Sequence, residues 1–255
     1  MSVESTSGLF TQAQLHEALD DGTLPAWAER HYEGFRNAML GTHDGAPFPC
    51  YFGMESERSG DALYTFCDSM TEESALLALT DTLFEYVQVF EEYGERTSLV
   101  IFFRPPEQAL GEAEYRDHFW NILQFLHDHD PEPWPHHIPT DPTDPYWEFC
   151  FAGEPMFPTA RAPFYEQRMS RHTPHGLEIT AQPRAIFEGI TGDTEAGKEA
   201  RRIIRDRIED YDGVCPHADI GDWGDSHTRE WKQYLLPERN EDTIEACPLT
   251  ITALR

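Results

Sequence analysis

Apolar residues recur at helical spacing in five segments of the chain, and we predict each of these segments to be a helix. The longest is residues 71–93. Ser69 and Glu72 form a capping-box pattern at its start, and Gly94 is expected to end it. The other four predicted helices are residues 11–20 and 26–40, which are amphipathic, and residues 112–127 and 195–210.

Short runs of aromatic and β-branched residues separate these helices and predict strands. Pro183 is expected to end one run or to place it at a sheet edge, because proline has no N–H for a central strand. Helices and strands alternate without regular βαβ spacing, so we predict an α+β fold with a mainly antiparallel sheet flanked by helices. No linker interrupts residues 1–255, which we expect to form a single domain. The predicted strands are residues 63–67, 98–103, 147–153, 177–187 and 249–254.

Six prolines fall within residues 130–146. Proline removes a backbone donor and fixes φ, so this segment is neither a helix nor a central strand. We predict an ordered loop that wraps over the surface.

The chain is strongly acidic: 47 Asp and Glu residues against 19 Lys and Arg give a net charge of −28. Only Lys198 and Lys232 are lysines. A carboxylate-rich, lysine-poor surface stays hydrated at high salt, so we interpret the protein as halophilic, the alternative being an ordinary acidic protein. The charge also argues against a nucleic-acid partner, because no basic patch is available to neutralise phosphates.

The halophilic interpretation predicts that the melting temperature rises between dilute buffer and molar salt. Carboxylates that repel one another in dilute buffer are screened within about 3 Å at 1 M salt. Thermal unfolding followed by circular dichroism in both conditions measures the effect. An unchanged melting temperature would contradict the interpretation.

The cysteines indicate a reducing compartment. They are odd in number and widely spaced, and no two form a C-x-x-C pair, so we expect free thiols and a cytoplasmic location. Residues 1–12 have no basic or apolar region typical of a signal peptide, and no stretch approaches 18 apolar residues, so we expect no membrane partner. The five cysteines are Cys50, Cys67, Cys150, Cys215 and Cys247.

Arginines are concentrated in one part of the chain, where eight of the 17 lie between residues 161 and 207. Planar guanidinium groups suit carboxylates and phosphates. For Arg201, Arg202 and Arg207 we favour pairing with the protein's own carboxylates. For three arginines near loops, a ligand-binding role and self-pairing stay equally open; these are Arg168, Arg171 and Arg184.

Histidines form a second concentration. Imidazole and carboxylate groups at short spacing can hold zinc or non-haem iron. No known metal pattern is present, however, and histidines beside prolines on a polar loop are more often solvated. The group comprises His127, His129, His136 and His137, with Asp128 and Asp130.

Two further segments carry potential haem ligands. Residues 213–225 contain Cys215 and His217, and Gly221 and Gly224 there suggest tight turns that approach another group closely. Cys50 lies between aromatic residues and a glycine, and is either a thiolate ligand, part of a pocket wall or a small core residue. Since no nucleophile elbow, phosphate loop or dinucleotide fingerprint appears, hydrolase, kinase and Rossmann dehydrogenase functions are excluded.

Taken in order, eight stretches between about residues 25 and 237 resemble the YqcI/YcgG family, and the composition is that of a haloarchaeal-like member. Ala181 and Ala218 depart from the family pattern without removing a candidate ligand. The stretches are FPCYFG (48–53), HFWNIL (118–123), PWPHHIPTDPTDPYWEFCFAGEPMF (133–157), PFYEQRMSR (163–171), AQPRAIFEGI (181–190), IIRDRIEDYDG (203–213), HADIGDWGD (217–225) and WKQYLLP (231–237).

The resemblance implies a haem protein that uses O₂ to hydroxylate nitrogen in a guanidino or arginine-like amino-acid substrate. Haem needs an apolar slot, an axial ligand and cations for its propionates. On this reading the slot comes from Trp147, Phe151 and the pair Met156 and Phe157. The ligand is His217, which we favour, or Cys50. The cations are Arg168, Arg171 and Arg184, and the carboxylates for a guanidinium substrate are Glu148, Glu154 and Asp225.

Two alternatives stay open at this stage: a non-catalytic haem- or small-molecule-binding protein, and a non-haem metal enzyme that uses the histidine group. The partners expected for the favoured function are a small-molecule substrate and an external reductase or ferredoxin, since no flavin or ferredoxin signature is present. A homodimer is one option for assembly.

Overall fold

The structure is a computed structural model that describes residues 7–251. Its α-helices are α1 (Gln12–Asp20), α2 (Ala26–Leu40), α3 (Tyr51–Ser59), α4 (Glu73–Val89), α5 (Glu112–Asp128) and α6 (Glu195–Asp212). Its strands are β1 (Phe10–Thr11), β2 (Thr42–His43), β3 (Ala46–Pro47), β4 (Leu63–Cys67), β5 (Leu99–Phe103), β6 (Phe149–Phe151), β7 (Glu154–Arg161) and β8 (Glu178–Pro183). Short 3₁₀ helices lie at Phe90–Tyr93, Met169–Arg171, Arg184–Phe187 and Glu230–Gln233.

Six strands form one sheet in the order β1-β4-β5-β8-β7-β6, and β2 and β3 form a separate two-stranded ribbon. Within the six-stranded sheet β4 and β5 are parallel, whereas the four other neighbouring pairs are antiparallel. The prediction of an α+β fold with a mainly antiparallel sheet is therefore confirmed.

Both faces of the central strands are buried, which accounts for their continuous apolar sequences. Tyr64, Phe66 and Phe102 point into one hydrophobic core, which is shared with α1, α2 and α3. Leu63 and Ile101 point into the other core, which is shared with α4 and α5. Within the described part of the chain, none of the helices combines the length and the apolarity that a membrane crossing requires.

The five predicted helices are confirmed, and α3 was missed. Thr11 caps α1, because its hydroxyl accepts the N–H of Gln14 at 3.2 Å. The capping-box prediction at α4 was wrong in detail. The Ser69 hydroxyl accepts the N–H groups of Thr71 and Glu72, and α4 begins one residue later. Ser69 therefore closes a turn in front of the helix.

The predicted strand at 147–153 is a shorter strand followed by a hairpin turn. Ala152 and Gly153 both have positive φ angles, 52° and 77°, and lead directly from β6 into β7. Sequence analysis missed β7. Strand β8 ends at Pro183, as expected. The predicted last strand does not form at residues 249–251, and its remaining residues, 252–254, lie outside the described residues.

The proline-rich segment 130–146 contains neither helix nor strand, as predicted. It is held by two buried side chains, Trp134 and Ile138. The Trp134 indole N–H donates to the Ile138 carbonyl at 3.0 Å, and its ring stacks on Trp147. The loop is therefore ordered by its own contacts with the core.

Candidate functional site

A cavity lies on the α2–α3 side of the sheet, and β7 and β8 form its floor. Alternate side chains of each strand face it, because successive residues of a strand point to opposite faces. Two directly paired sets of floor residues are Phe157 with Gln182 and Thr159 with Thr180. Neighbouring residues such as Ala160 and Ile179 point into the opposite core.

The walls of the cavity come from segments that are far apart in the sequence. Its volume is about 260 Å³, near the lower end of ordinary ligand pockets. Phe35 and Met39 of α2, the start of α3, and Ile204 and Ile208 of α6 supply apolar surface. Polar surface comes from Arg161, Arg171 and Gln182 and also from Arg184, Arg201 and Glu230. Such a mixture suits an organic ligand with a few charged groups.

Cys50 faces this cavity from the N-cap position of α3. Burial raises the pKa of its thiol, whereas the backbone N–H groups of Gly53 and Phe52 and the charges of Arg171 and Arg207 act to lower it. A helix N-terminus and nearby cations stabilise a thiolate. Cys50 is therefore the cavity residue best placed to bind a positively charged metal centre.

Arg171 is a cation of the cavity wall whose hydrogen-bond partners are neutral. Its Nη1 and Nη2 donate to the carbonyl oxygens of Ala160 and Gln233 at 3.3 and 3.2 Å. No carboxylate of the described residues forms an ion pair with it. Burial lowers the pKa of Arg171, as expected for a charge without a direct counter-ion. An anionic group in the cavity would supply that counter-ion.

Arg184 joins two buried carboxyl groups at another wall. Its Nε donates to Glu148 Oε2 at 2.8 Å, and its Nη2 donates to Glu148 Oε1 and Glu230 Oε2. Glu230 and Arg184 line the cavity, and Glu148 lies behind them. Burial raises the pKa of Glu148 and of Glu230, and repulsion between the two carboxylates raises the pKa of Glu230 further.

Arg168, Trp147, Phe151 and Met156 lie outside the cavity lining. Arg168 is buried and donates to the Pro237 carbonyl and to Asn240 Oδ1, so it anchors the C-terminal part of the chain. Trp147, Phe151 and Met156 belong to the hydrophobic core on the opposite face of the sheet. Of the predicted apolar slot, only Phe157 lines the cavity.

His217 is buried and lies outside the cavity lining, with both ring nitrogens engaged. The backbone N–H of Asp219 donates to Nδ1 at 3.1 Å, so Nε2 carries the proton and donates to the Asp242 carbonyl at 3.0 Å. Binding iron would require His217 to give up one of these bonds. Cys215, the other candidate in this segment, is exposed.

Gly221 and Gly224 do approach other groups closely, and these groups belong to the chain itself. A Cβ on Gly221 would lie 2.3 Å from Thr228 Oγ1, and one on Gly224 would lie 2.6 Å from the Tyr146 ring. Gly224 also has a φ of +83°, which disfavours other residues.

Glu154 and Asp225 also lie outside the cavity lining. Glu154 begins β7 and accepts the N–H of Ala185, and burial raises the pKa of its carboxyl group. Asp225 accepts the N–H of His227 at 2.9 Å within a turn. Of the three predicted carboxylates, Glu148 alone is associated with the cavity, through Arg184.

The histidine group of residues 127–137 does not converge in the structure. The His129 ring stacks on Phe125, the His127 ring contacts Trp134, and His136 and His137 are exposed. Between residues 7 and 251 no group of three or more His, Cys, Asp or Glu side chains is placed to hold a metal ion. The described residues therefore offer no ligand set for the non-haem metal alternative.

Self-pairing of the α6 arginines was predicted correctly for two of the three. Arg202 is exposed and pairs with Glu199 and Asp206, and Arg201 pairs with Asp222. Arg207 instead lies over the Tyr51 ring, with its guanidinium carbon 5.6 Å from the centroid. This position places a cation near Cys50.

Two charged residues of the cavity wall, Arg161 and Glu230, were not predicted from the sequence. Arg161 was counted among the clustered arginines but given no role; it pairs with the buried Glu178 at 2.8 Å. Glu230 was not considered, because a single glutamate next to Arg229 and Trp231 gives no signal among 47 acidic residues.

Comparisons with known proteins agree with the resemblance noted in the sequence. The family model described as "YqcI/YcgG family" matches residues 35–250. The chain is 32% identical to a Bacillus subtilis (strain 168) protein named "Uncharacterized protein YcgG", over 96% of this chain and 95% of YcgG. It is 33% identical to "Uncharacterized protein YqcI" of the same organism, over 94% of this chain and 93% of YqcI.

A third relative has a name that states an activity. The chain is 32% identical to "Putative N(omega)-hydroxy-L-arginine synthase DcsA" of Streptomyces lavendulae, over 95% of this chain and 89% of that protein. No solved structure matches the chain significantly.

Proposed function

Because the chain belongs to the YqcI/YcgG family, we propose that it is a haem-dependent oxygenase that hydroxylates a nitrogen atom of an arginine-like guanidino compound. The observation that carries the proposal is the Cys50 thiol at the start of α3, facing a mostly apolar cavity that also contains the unpaired Arg171. The name of the relative from Streptomyces lavendulae supports the substrate class.

The side chains of the cavity match the contacts that a haem group needs, although a cavity of about 260 Å³ must widen to admit one. Cys50 would bind the iron as a thiolate, and five phenylalanines would supply apolar contacts for the group. The ionised thiol would be favoured by a bound metal cation, which would offset the burial that raises the Cys50 pKa. The five phenylalanines are Phe35, Phe48, Phe52, Phe157 and Phe187.

The cations of the cavity suit carboxylate groups of a cofactor or a substrate. Arg171 is assigned to a haem propionate, because its present partners are only carbonyl oxygens. Arg184 is already held by Glu148 and Glu230, so a propionate would have to compete with both for it. Arg168, with its buried partners, is not used. This assignment keeps one of the three arginines that the sequence suggested for the propionates.

When bound, haem supplies the iron that activates O₂. Hydroxylation of one nitrogen consumes one O₂, two electrons and two protons, and yields the N-hydroxy product and water. The electrons come from an external reductase or ferredoxin. The chain's own residues bind and orient the substrate and keep water out of the apolar part of the cavity.

An absorption spectrum of the protein, purified in molar salt from haem-supplemented cells, is the first test. We expect a Soret band whose position in the reduced, CO-bound form indicates thiolate ligation. Incubation with L-arginine, reductant and O₂ is then expected to give a product heavier than arginine by one oxygen atom. An anaerobic incubation is the control.

Two other results would overturn parts of the proposal. A colourless protein that also fails to take up haemin would overturn the cofactor assignment. A haem-loaded protein that turns over neither arginine nor other guanidino compounds would instead be a non-catalytic haem protein.

A further inference from the structure

The cavity wall contains one more buried acid than the adjacent arginine can neutralise. Glu148 and Glu230 are 0% and 5% exposed, and both bond to the single guanidinium of Arg184. Arg201 lies nearby but pairs with Asp222. Buried carboxylates without a counter-charge are costly, so the extra negative charge requires a cation or a proton.

Arg184 brings the two acids together. Its Nη2 donates both to Glu148 Oε1 and to Glu230 Oε2, so the two carboxyl groups share one nitrogen. Glu230 Oε1 is fully buried, and no donor of the described residues reaches it. A single proton on the pair would leave it with one negative charge, which Arg184 balances.

Only one member of this acid pair faces the cavity. Glu230 lines it, whereas Glu148 is not among the residues that line it. The aromatic rings of Phe187 and Trp223 lie 5.2 and 5.1 Å from the Arg184 guanidinium and hold it against the acids. Glu230 is therefore the acid that a bound molecule would meet.

We propose that Glu230 binds the cationic guanidinium head of a ligand in this cavity and that the acid pair releases its proton as the ligand binds. After that release the two carboxylates carry one more charge than Arg184 balances, so they attract a monovalent cation. The way in which Arg184 bonds to both acids shows that the pair accepts a planar guanidinium. That the ligand is a substrate rests on the function proposed above.

The charged groups that face the acid pair set the pH range of this exchange. They are Arg184, Arg201 and Glu154, together with the titratable Tyr234 hydroxyl and Cys150 thiol. Burial and the repulsion between the acids raise the pKa of Glu230 well above its usual value. Below that raised pKa, ligand binding must displace a proton, so affinity for a cationic ligand is expected to fall as pH falls.

Calorimetric binding of L-arginine to the purified protein, with its haem content recorded and without O₂ or reductant, tests this inference. We expect about one proton released per arginine bound, measured from the difference between buffers of unlike ionisation enthalpy. Glu230→Gln is expected to weaken arginine binding by about 10- to 100-fold. The neutral urea analogue citrulline should bind the wild type more weakly than arginine, and this preference should shrink in Glu230→Gln.

Two variants serve as controls. Glu154→Gln changes an acid that also has a raised pKa but lies outside the cavity lining, and it should bind arginine like the wild type. Glu148→Gln removes the partner with which Glu230 shares the proton and leaves the cavity wall unchanged. It should still bind arginine, but without releasing a proton. This variant keeps the inference testable if Glu230→Gln fails to fold.

Wild-type affinity for arginine in a folded Glu230→Gln variant would overturn the inference, and so would proton release that persists in Glu148→Gln. The proposed function can fail separately. Arginine binding with the expected proton release but without turnover would overturn the oxygenase assignment alone. N-hydroxylation by Glu230→Gln with an unchanged KM would overturn only the role of Glu230.

Discussion

Replacing Cys50 with alanine is expected to abolish haem retention and to leave the fold intact. The side chain lies at a cavity wall, so its removal costs little packing, whereas the iron loses its only protein ligand in the proposed assignment. Loss of a residue that hydrogen-bonds to a metal ligand typically lowers metal affinity by about 10- to 100-fold. Loss of the ligand itself should lower it further. Haem content per folded protein, from the Soret band and circular dichroism, measures the effect.

Cys215→Ala is the matched control, because this thiol is exposed and lies outside the cavity lining. His217→Ala tests the alternative that the sequence favoured. If Cys50 is the ligand, His217→Ala keeps its haem, provided that the variant folds. A Cys50→Ala protein with full haem, together with a folded His217→Ala protein without haem, would transfer the ligand role to His217.

Replacing Arg184 with methionine is expected to destabilise the protein by about 3–5 kcal/mol at neutral pH, the cost of leaving buried carboxylates without their partner. In the wild type, burial would lower the Arg184 pKa, but attraction to Glu230 and Glu148 is stronger and raises it. Denaturant unfolding of the variant and the wild type measures the difference.

The pH dependence of the Arg184→Met effect follows from the sign of the carboxyl pKa shifts. Glu148 and Glu230 have pKa values raised in the folded protein, and removal of Arg184 raises them further. A carboxyl group with a raised folded pKa stabilises the fold at low pH, and this stability is lost as pH rises. The difference in free energy of unfolding between wild type and Arg184→Met should therefore be smallest near the ordinary glutamate pKa, at about pH 4. It should grow towards neutral pH.

Arg202→Met is the control for this effect, because Arg202 is exposed and its pairs with Glu199 and Asp206 are solvated. Such surface pairs contribute about 0–1 kcal/mol. A second substitution, Glu148→Gln, should restore part of the stability of Arg184→Met by removing one uncompensated acid. Equal stability of Arg184→Met and Arg202→Met would contradict the importance of the buried cluster.

The sequence predicted those elements whose signals are local. We predicted the five helices with sustained apolar periodicity and the apolar strands β4 and β5. The spacing of apolar residues that are neighbours in the sequence shows which faces of these elements are buried. Strand β7 was missed because it contains Pro155 and Pro158, and proline has no N–H to donate to a neighbouring strand. The sequence does not show at which positions of a strand that N–H is needed. Helix α3 was missed because Cys50 and Gly53 in its first turn suggest a turn.

The types of residue that line the cavity could be predicted from the sequence, but which individual residues line it could not. The sequence drew attention to Cys50, Arg171 and Arg184, which line the cavity. It also predicted site roles for His217 and Arg168, which are buried. His217 hydrogen-bonds to a residue 25 positions away and Arg168 to one 72 positions away. Residue types are visible in a sequence, whereas the partner of each buried charge depends on contacts between distant segments.

The wide spread of the cavity walls along the chain has a consequence for biosynthesis. Lining residues extend from Phe35 to Gln233, and the C-terminal ones add no strand to the sheet. During translation the central strands leave the ribosome long before the residues that complete the cavity, and such non-local contacts form late in folding. The nascent chain therefore lacks a finished binding site until Gln233 has emerged, so ligand binding can begin only after that point.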